Sequence, residues 1–385
     1  MNIFLSLACL STIALAQPDD QAMLDRSLLS MGDTSRLCNV LAKIERGEKI
    51  TVGVIGGSIT QGASATEEKF RWGDRVAAWF RETYPNAQID YVNAGIGATG
   101  SNIAAHRAPV HLLNHQPDLV ICEFGVNDGD TRDSAETLEG LVRQILSQPN
   151  NPAVMLLFTM HRNGANAQSW QTRIGYHYGL PMASFRDACW PEIEAERMTW
   201  ETIEADEVHP NNYGHELCAR YVTNIIGKVR EQMQAGEALP EPSKVPPTLI
   251  SDVFQRATFL SADNAQPVVN KGWTTQQDWP FGQSWATKEA GSTIEFDVEA
   301  TCISIAHFKV KGPMGRAEVQ IDDLAPVVLE GWFDADWGGY SHFVNIARDL
   351  PFRKHHIKIR VLDDKAEAST GYEFRIQAIM LAGLQ

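Results

Sequence analysis

The period of the apolar residues changes once along this chain, near residue 240, and that change restricts the fold more than any other feature. Before it, apolar β-branched runs alternate with segments whose apolar residues recur every three or four positions. After it, short stretches alternate every second residue between Gly, Pro and Asp turns. Pro240, Pro242, Pro246 and Pro247 mark the junction, because so dense a set of prolines ends a helix and stiffens the backbone around it. The 385 residues thus divide into a first unit over 17–236, a linker over 237–250 and a second unit over 251–385.

In the first unit, residues 35–47 predict a helix with Leu37, Val40, Leu41 and Ile44 on one face. Residues 101–116, 134–148 and those after Pro210 predict further helices. Residues 50–55, 88–96, 118–124 and 153–160 read as buried strands. Strands separated by helices imply a mostly parallel sheet covered on both faces, the α/β class. In the second unit, residues 292–299, 302–310, 317–321, 355–361 and 374–381 predict an all-β sandwich of jelly-roll type.

One turn of the first unit carries chemistry. The strand at 50–55 runs into Gly56-Gly57-Ser58-Ile59-Thr60, which sets a serine hydroxyl at the carboxyl end of a strand, where open α/β sheets bind ligands. Two rival motifs fail here: no lysine comes next as a P-loop requires, and Thr60 stands where a nucleophile elbow needs its second glycine. A serine hydroxyl is a poor nucleophile without a base. Asp206-Glu207-Val208-His209 supplies an imidazole with a carboxylate three residues before it, spaced to hold the ring's tautomer. The strand at 118–124 runs out into Gly125-Val126-Asn127-Asp128, and the Asn127 amide suits an oxyanion donor. Each segment alone also has a plain structural reading: a loop closure, a helix cap, a turn.

Together, in this order, the segments resemble the four signature blocks of the SGNH, or GDSL-like, hydrolases. Gly56 to Thr60 is similar to the nucleophile block in its Gly-Gly-Ser-Ile-Thr variant, and Asn93-Ala94-Gly95-Ile96-Gly97-Ala98-Thr99-Gly100-Ser101 to the glycine block. Gly125 to Asp128 matches Gly-x-Asn-Asp, and Asp206 to His209 matches Asp-x-x-His. The resemblance covers roughly residues 50–230. It implies a flavodoxin-like three-layer α/β/α sheet, with Ser58 as nucleophile, His209 as general base and then acid, and Asp206 as its orienting partner. The implied oxyanion donors are the backbone N–H of Ser58, a backbone N–H from Gly97 or Ala98, and the Asn127 amide. The family's glycine falls on Ala98, so the choice between Gly97 and Ala98 stays open.

The implied activity is ester hydrolysis through an acyl-enzyme, with no cofactor and no metal. Acetyl groups on a polysaccharide or its fragments fit best, given the β-rich second unit and abundant tryptophan. Lipase or acyltransferase chemistry on the same fold, and glycan binding without catalysis, are the alternatives. Neither the acyl group nor the oligomeric state is set by the sequence. The net charge of −15 argues against nucleic acid or an anionic membrane surface as a partner, since phosphate binding needs clustered Lys and Arg.

Residues 1–16 are apolar, uncharged and end in Ala14-Leu15-Ala16, which reads as a secretory signal and an extracellular or periplasmic destination. No other run approaches the roughly 20 apolar residues that span a bilayer. Cys38, Cys122, Cys189, Cys218 and Cys302 show no paired spacing, and a Cys189–Cys218 bridge has no support beyond its possibility. His106, His111 and His115 read as a solvated helix face, and Arg71, Arg107 and Arg162 as surface ion pairs or contacts to an anionic substrate group. Asp322-Asp323 and Asp363-Asp364 read as turns, with calcium as the alternative. The aromatic stretches 273–285 and 332–340 serve either a sandwich core or a glycan surface.

Overall fold

The computed structural model describes residues 18–233 and 239–385. The apolar segment 1–16 and residues 234–238 lie outside the described residues.

Six strands form the first sheet: β1 (Leu28–Ser30), β2 (Ile50–Gly56), β3 (Ile89–Gly95), β4 (Leu119–Glu123), β5 (Ala153–Phe158) and β6 (Met182–Ser184). Their order is β1-β6-β5-β4-β2-β3; β2 to β6 run parallel, and β1 pairs antiparallel at the edge. Every residue of β2, β4 and β5 is buried, as continuous apolar runs require when helices cover both faces. The helices are α1 (Asp20–Ser27), α2 (Ser35–Glu45), α3 (Ser58–Gln61), α4 (Trp72–Thr83), α5 (Ser101–His111), α6 (Arg132–Leu146), α7 (Gln168–His177), α8 (Phe185–Glu194), α9 (Trp200–Ile203) and α10 (Asn212–Gln232). One layer packs α2, α4 and α10 on Val52, Val54 and Ile121; the other packs α5 and α6 on Ile55, Val120 and Cys122. The helix expected over 101–116 stops at His111, and a separate 3-10 turn, Leu113–His115, carries the chain on.

The second unit is a sandwich of two antiparallel sheets. Its strands are β7 (Ala257–Leu260), β8 (Val269–Lys271), β9 (Thr274–Gln277), β10 (Gln283–Thr287), β11 (Thr293–Ala300), β12 (Cys302–Lys309), β13 (Arg316–Ile321), β14 (Val327–Glu330), β15 (Tyr340–Ala347), β16 (Arg353–Val361) and β17 (Phe374–Ala382). One sheet runs β15-β12-β17-β10-β9, with β7 also on β17, and the other β14-β13-β16-β11-β8. The outer sheet shows the expected alternation: along β16 every second residue from His355 to Val361 is buried. The inner sheet does not, because its far face is also covered: Phe259, Phe281, Ala306, Ala378 and Met380 close over Ile103 of α5.

That contact corrects the reading of the helix histidines. His106 is fully buried between Phe254 and Phe343 at the junction of the units, with Nδ1 bonded to the Asn102 carbonyl, and burial pushes its pKa down to about 4. His111 lies against Phe259, and only His115 is exposed. The proline-rich linker is tied to the first unit along its length. Asn39 donates to the Pro240 carbonyl, Arg143 to that of Pro246 and His177 to that of Pro247. The Glu139 carboxylate accepts the N–H groups of Leu249, Ile250 and Ser251, and Arg348 of the sandwich pairs with Glu136 of α6 at 3.0 Å. The five described cysteines are free thiols, so the Cys189–Cys218 bridge is not formed; Cys189 instead approaches the Tyr221 hydroxyl. Asp322 is taken by Arg353, His355 and the His356 N–H, and Asp364 by Arg316, so one aspartate of each pair is held within the sandwich.

Candidate active site

Gly56 pairs with Gly95 on one side and Glu123 on the other, so β2, β3 and β4 end at one level. The turns that leave them open together, at the point where the strand order reverses. Gly57 (φ −90°, ψ −146°) ends the strand and α3 starts at Ser58, whose N–H, as the first of a helical turn, has no helical acceptor.

The 206–209 turn lies between α9 and α10 and is closed by its own bonds. Oδ1 of Asp206 accepts the N–H groups of Val208 and His209 at 2.8 and 2.9 Å, and the Ala205 N–H donates to the His209 carbonyl at 2.8 Å. The other oxygen, Oδ2, accepts Nδ1–H of His209 at 2.8 Å, which leaves Nε2 to accept the Ser58 hydroxyl at 2.9 Å. Burial works against charge on Asp206, but the ring and the two N–H groups outweigh it and hold the carboxyl below its usual range. The three side chains singled out in the sequence therefore form one continuous hydrogen-bonded chain.

Asn127 lies against Gly57. A Cβ on that glycine would sit 2.5 Å from the Asn127 Cγ and 3.0 Å from its Nδ2, so the carboxamide rests on bare backbone. The Asn127 Oδ1 has no hydrogen-bond partner among the described residues. In the glycine block, Gly97 faces Ser58, but its N–H donates to the Gln61 Oε1 at 2.8 Å. Ala98 adopts a left-handed conformation (φ 56°), the geometry for which glycine is usual, and its N–H has no acceptor among the described residues. Of the two backbone candidates, Ala98 is the one with a free donor.

Several polar residues with no role assigned from the sequence surround this arrangement. Asp128 accepts the Ser101 N–H at 2.8 Å and Gln171 Nε2 at 3.0 Å, which ties the glycine block and α5 to the Asn127 turn; burial raises its pKa to about 7. His215, fully buried on α10, accepts the Trp72 N–H at Nδ1 and donates from Nε2 to the Ala63 carbonyl, and burial lowers its pKa to about 4. Glu204 is buried beneath the 206–209 turn, where burial first and then Asp206 and Glu123 raise its carboxyl to about 9. Asp128 ends the Gly-x-Asn-Asp block, and the only signal of the other two in the sequence is nearness to the Asp206-x-x-His209 turn.

The arginines stand apart from the reacting atoms. Arg107 is fully buried and donates to the carbonyls of Ala94 at 2.7 Å and Gly56 at 3.1 Å, bracing two strand ends from below instead of meeting solvent or substrate. Arg162 pairs with Glu201 and Glu207 on the surface, and Arg71 pairs with Glu68. The aromatic stretches divide: Trp273, Phe281 and Trp285 are core, whereas Trp279 is 64% exposed and Trp337 58% exposed, the latter in a cluster with Phe333 and Tyr340. No group of three or more potential metal-ligating side chains occurs among the described residues, and none of their helices is long and apolar enough to cross a membrane.

The family model described as GDSL-like Lipase/Acylhydrolase family matches residues 54–217. No curated protein matches the chain by sequence. Among solved structures, a two-domain esterase (CEX) active on acetylated mannans is 31% identical, with a TM-score of 0.88 over 94% of this chain and 99% of that one. The same esterase co-crystallised with mannopentaose is similar at 31% identity and a TM-score of 0.86, over 94% of this chain and 98% of the other.

Proposed function

The chain belongs to the GDSL-like lipase and acylhydrolase family and is an ester-bond hydrolase, and from that premise we propose that it removes O-acetyl groups from a polysaccharide, with Ser58 as nucleophile. The observation that carries the reading is the unbroken chain from Ser58 Oγ through His209 to Asp206, at 2.9 and 2.8 Å. In this reading His209 Nε2 takes the hydroxyl proton as Ser58 attacks the ester carbonyl, and Asp206 holds the ring and stabilises the imidazolium. The oxyanion is met by the N–H groups of Ser58 and Ala98 and by the Asn127 amide. His209 then protonates the sugar oxygen as its bond to the acyl carbon breaks, so that the sugar leaves as the alcohol, and water, activated by the same ring, releases acetate from the acyl-enzyme.

Support for a glycan ester comes from the likeness to an esterase active on acetylated mannans, which extends over both units and so includes the sandwich. The test is acetate release from a panel of acetylated polysaccharides, alongside fluorophosphonate labelling read by mass spectrometry. Acetate release from acetylated mannan with the label on Ser58 is expected; label elsewhere, or none, would remove Ser58 as nucleophile.

A further inference from the structure

Beneath the Ser58 turn lies a carboxylate that the proton relay and the oxyanion donors do not use. Glu123, the last residue of β4, is completely buried and sits beside Gly56 in the sheet register. Its two oxygens have different partners: Thr60 Oγ1–H donates to Oε2 at 3.0 Å, and Thr159 Oγ1–H to Oε1 at 2.7 Å. Burial raises its pKa, and the two hydroxyls act against that rise.

The two threonines belong to different turns of the site. Thr60 is two residues after Ser58 within α3, completely buried, and its carbonyl accepts Asn93 Nδ2 from β3 at 2.9 Å. Thr159 comes directly after β5, and Gly125, which leads into Asn127, packs so closely on it that a Cβ there would lie 2.8 Å from the Thr159 N. A Cβ on Gly56 would come within 2.7 Å of the Thr60 Cβ, so bare backbone at that position is what lets Thr60 turn back under the strand end.

We infer that Glu123 is a positioning residue, a buried carboxylate that through Thr60 and Thr159 fixes the height of Ser58 relative to Asn127; this rests on the reading of Ser58 as nucleophile. Ser58 and Thr60 share one helical turn, so Thr60 cannot shift without carrying the hydroxyl that faces His209. A misplacement of about 1 Å in such a constellation costs on the order of a hundredfold in rate. The clamp acts on alignment in the transition state, so its loss lowers kcat and leaves substrate binding largely alone.

The experiment compares Thr60→Val, which keeps the shape and loses the hydroxyl, with Thr60→Ser, which keeps the hydroxyl. For Thr60→Val, kcat on an activated acetate ester falls about ten- to a hundredfold with KM within about twofold, and the rate of fluorophosphonate labelling falls in step. Thr60→Ser restores kcat to within about threefold of the parent. Thr159→Val carries the same prediction from the other carboxylate oxygen if Thr60→Val does not fold. A folded Thr60→Val variant with parental kcat and only a lowered Tm overturns the clamp alone, as does Thr60→Ser that is as slow as Thr60→Val. A parent protein unlabelled at Ser58 overturns the nucleophile assignment and the clamp with it.

Discussion

Gly57→Ala tests the oxyanion site without touching a proposed catalytic side chain. The added methyl would collide first with the Asn127 Oδ1, with Cγ at 2.5 Å and Nδ2 at 3.0 Å behind it. Ordinary carbon contacts begin near 3.5 Å, so the carboxamide must retreat by at least about 1 Å. The φ of −90° at residue 57 lies outside the left-handed region that favours glycine, so the clash with Asn127 is what the methyl adds. Losing one oxyanion donor costs about 2.7–4 kcal/mol of transition-state stabilisation, a fall in kcat of about 100- to 1000-fold. Overpacking itself costs about 1–3 kcal/mol of stability, and a thermal melt would register it separately. The assay is kcat and KM on nitrophenyl acetate for Gly57→Ala, Asn127→Ala and the double variant. Because both single changes remove the same donor, the double variant should be hardly slower than either. Full additivity, or a folded Gly57→Ala with parental kcat, would refute the placement of the Asn127 amide at the developing charge.

The geometry sets three further outcomes. Ser58→Ala and His209→Ala should each abolish nearly all turnover on an activated acetate, and combining them should cost little more, since the pair acts as a unit; a residual rate above a few per cent in either would count against the relay. His106 and His215 are buried and neutral, with pKa values lowered to about 4, so the unfolded chain binds their protons first as pH falls. Their contribution is complete above about pH 6.5 and is lost toward pH 4, each by at most about 1.4 kcal/mol per pH unit, while the raised carboxyls of Asp128 and Glu204 act in the opposite sense; in melts between pH 7 and 5 the slope of Tm against pH should be less positive for His106→Gln than for the parent, and an unchanged slope would contradict the assignment. Ending the chain after residue 236 uncovers Ile103 and His106, so the truncated protein should aggregate or melt well below the full chain; a monomeric fragment of parental Tm would show that the junction contributes nothing.

The elements that could be read from the sequence were those whose surroundings are local. β2 and β4 record their burial in their own continuous apolar runs, and the Asp206-x-x-His209 turn closes on itself, so pattern and spacing pointed to both. The inner sheet of the sandwich was different. Cys302 to Ala306 and Ala378 to Ala382 lack alternation because α5, two hundred residues and more upstream, covers their outer face, and a window along the chain holds no trace of that neighbour. The short edge strand β1 and the exposed β8 and β9 carry too few apolar residues to announce themselves. At the site, the nucleophile, base and amide stood out by motif. Gln61, Glu123 and His215 did not, since a buried polar residue is recognised by its partners, and Glu123 finds Thr159 only after β4 and β5 align.

The pinned proline segment and the doubly covered inner sheet have a consequence for the ancestry of such enzymes. An appendage on a loose tether can be exchanged between proteins by recombination, whereas this one shares its hydrophobic interior with α5 and α6, and three successive backbone amides at its entry, Leu249 to Ser251, end on a single glutamate, Glu139. Substitutions on either side of that seam must be matched on the other, so the two halves are bound to diverge as a pair.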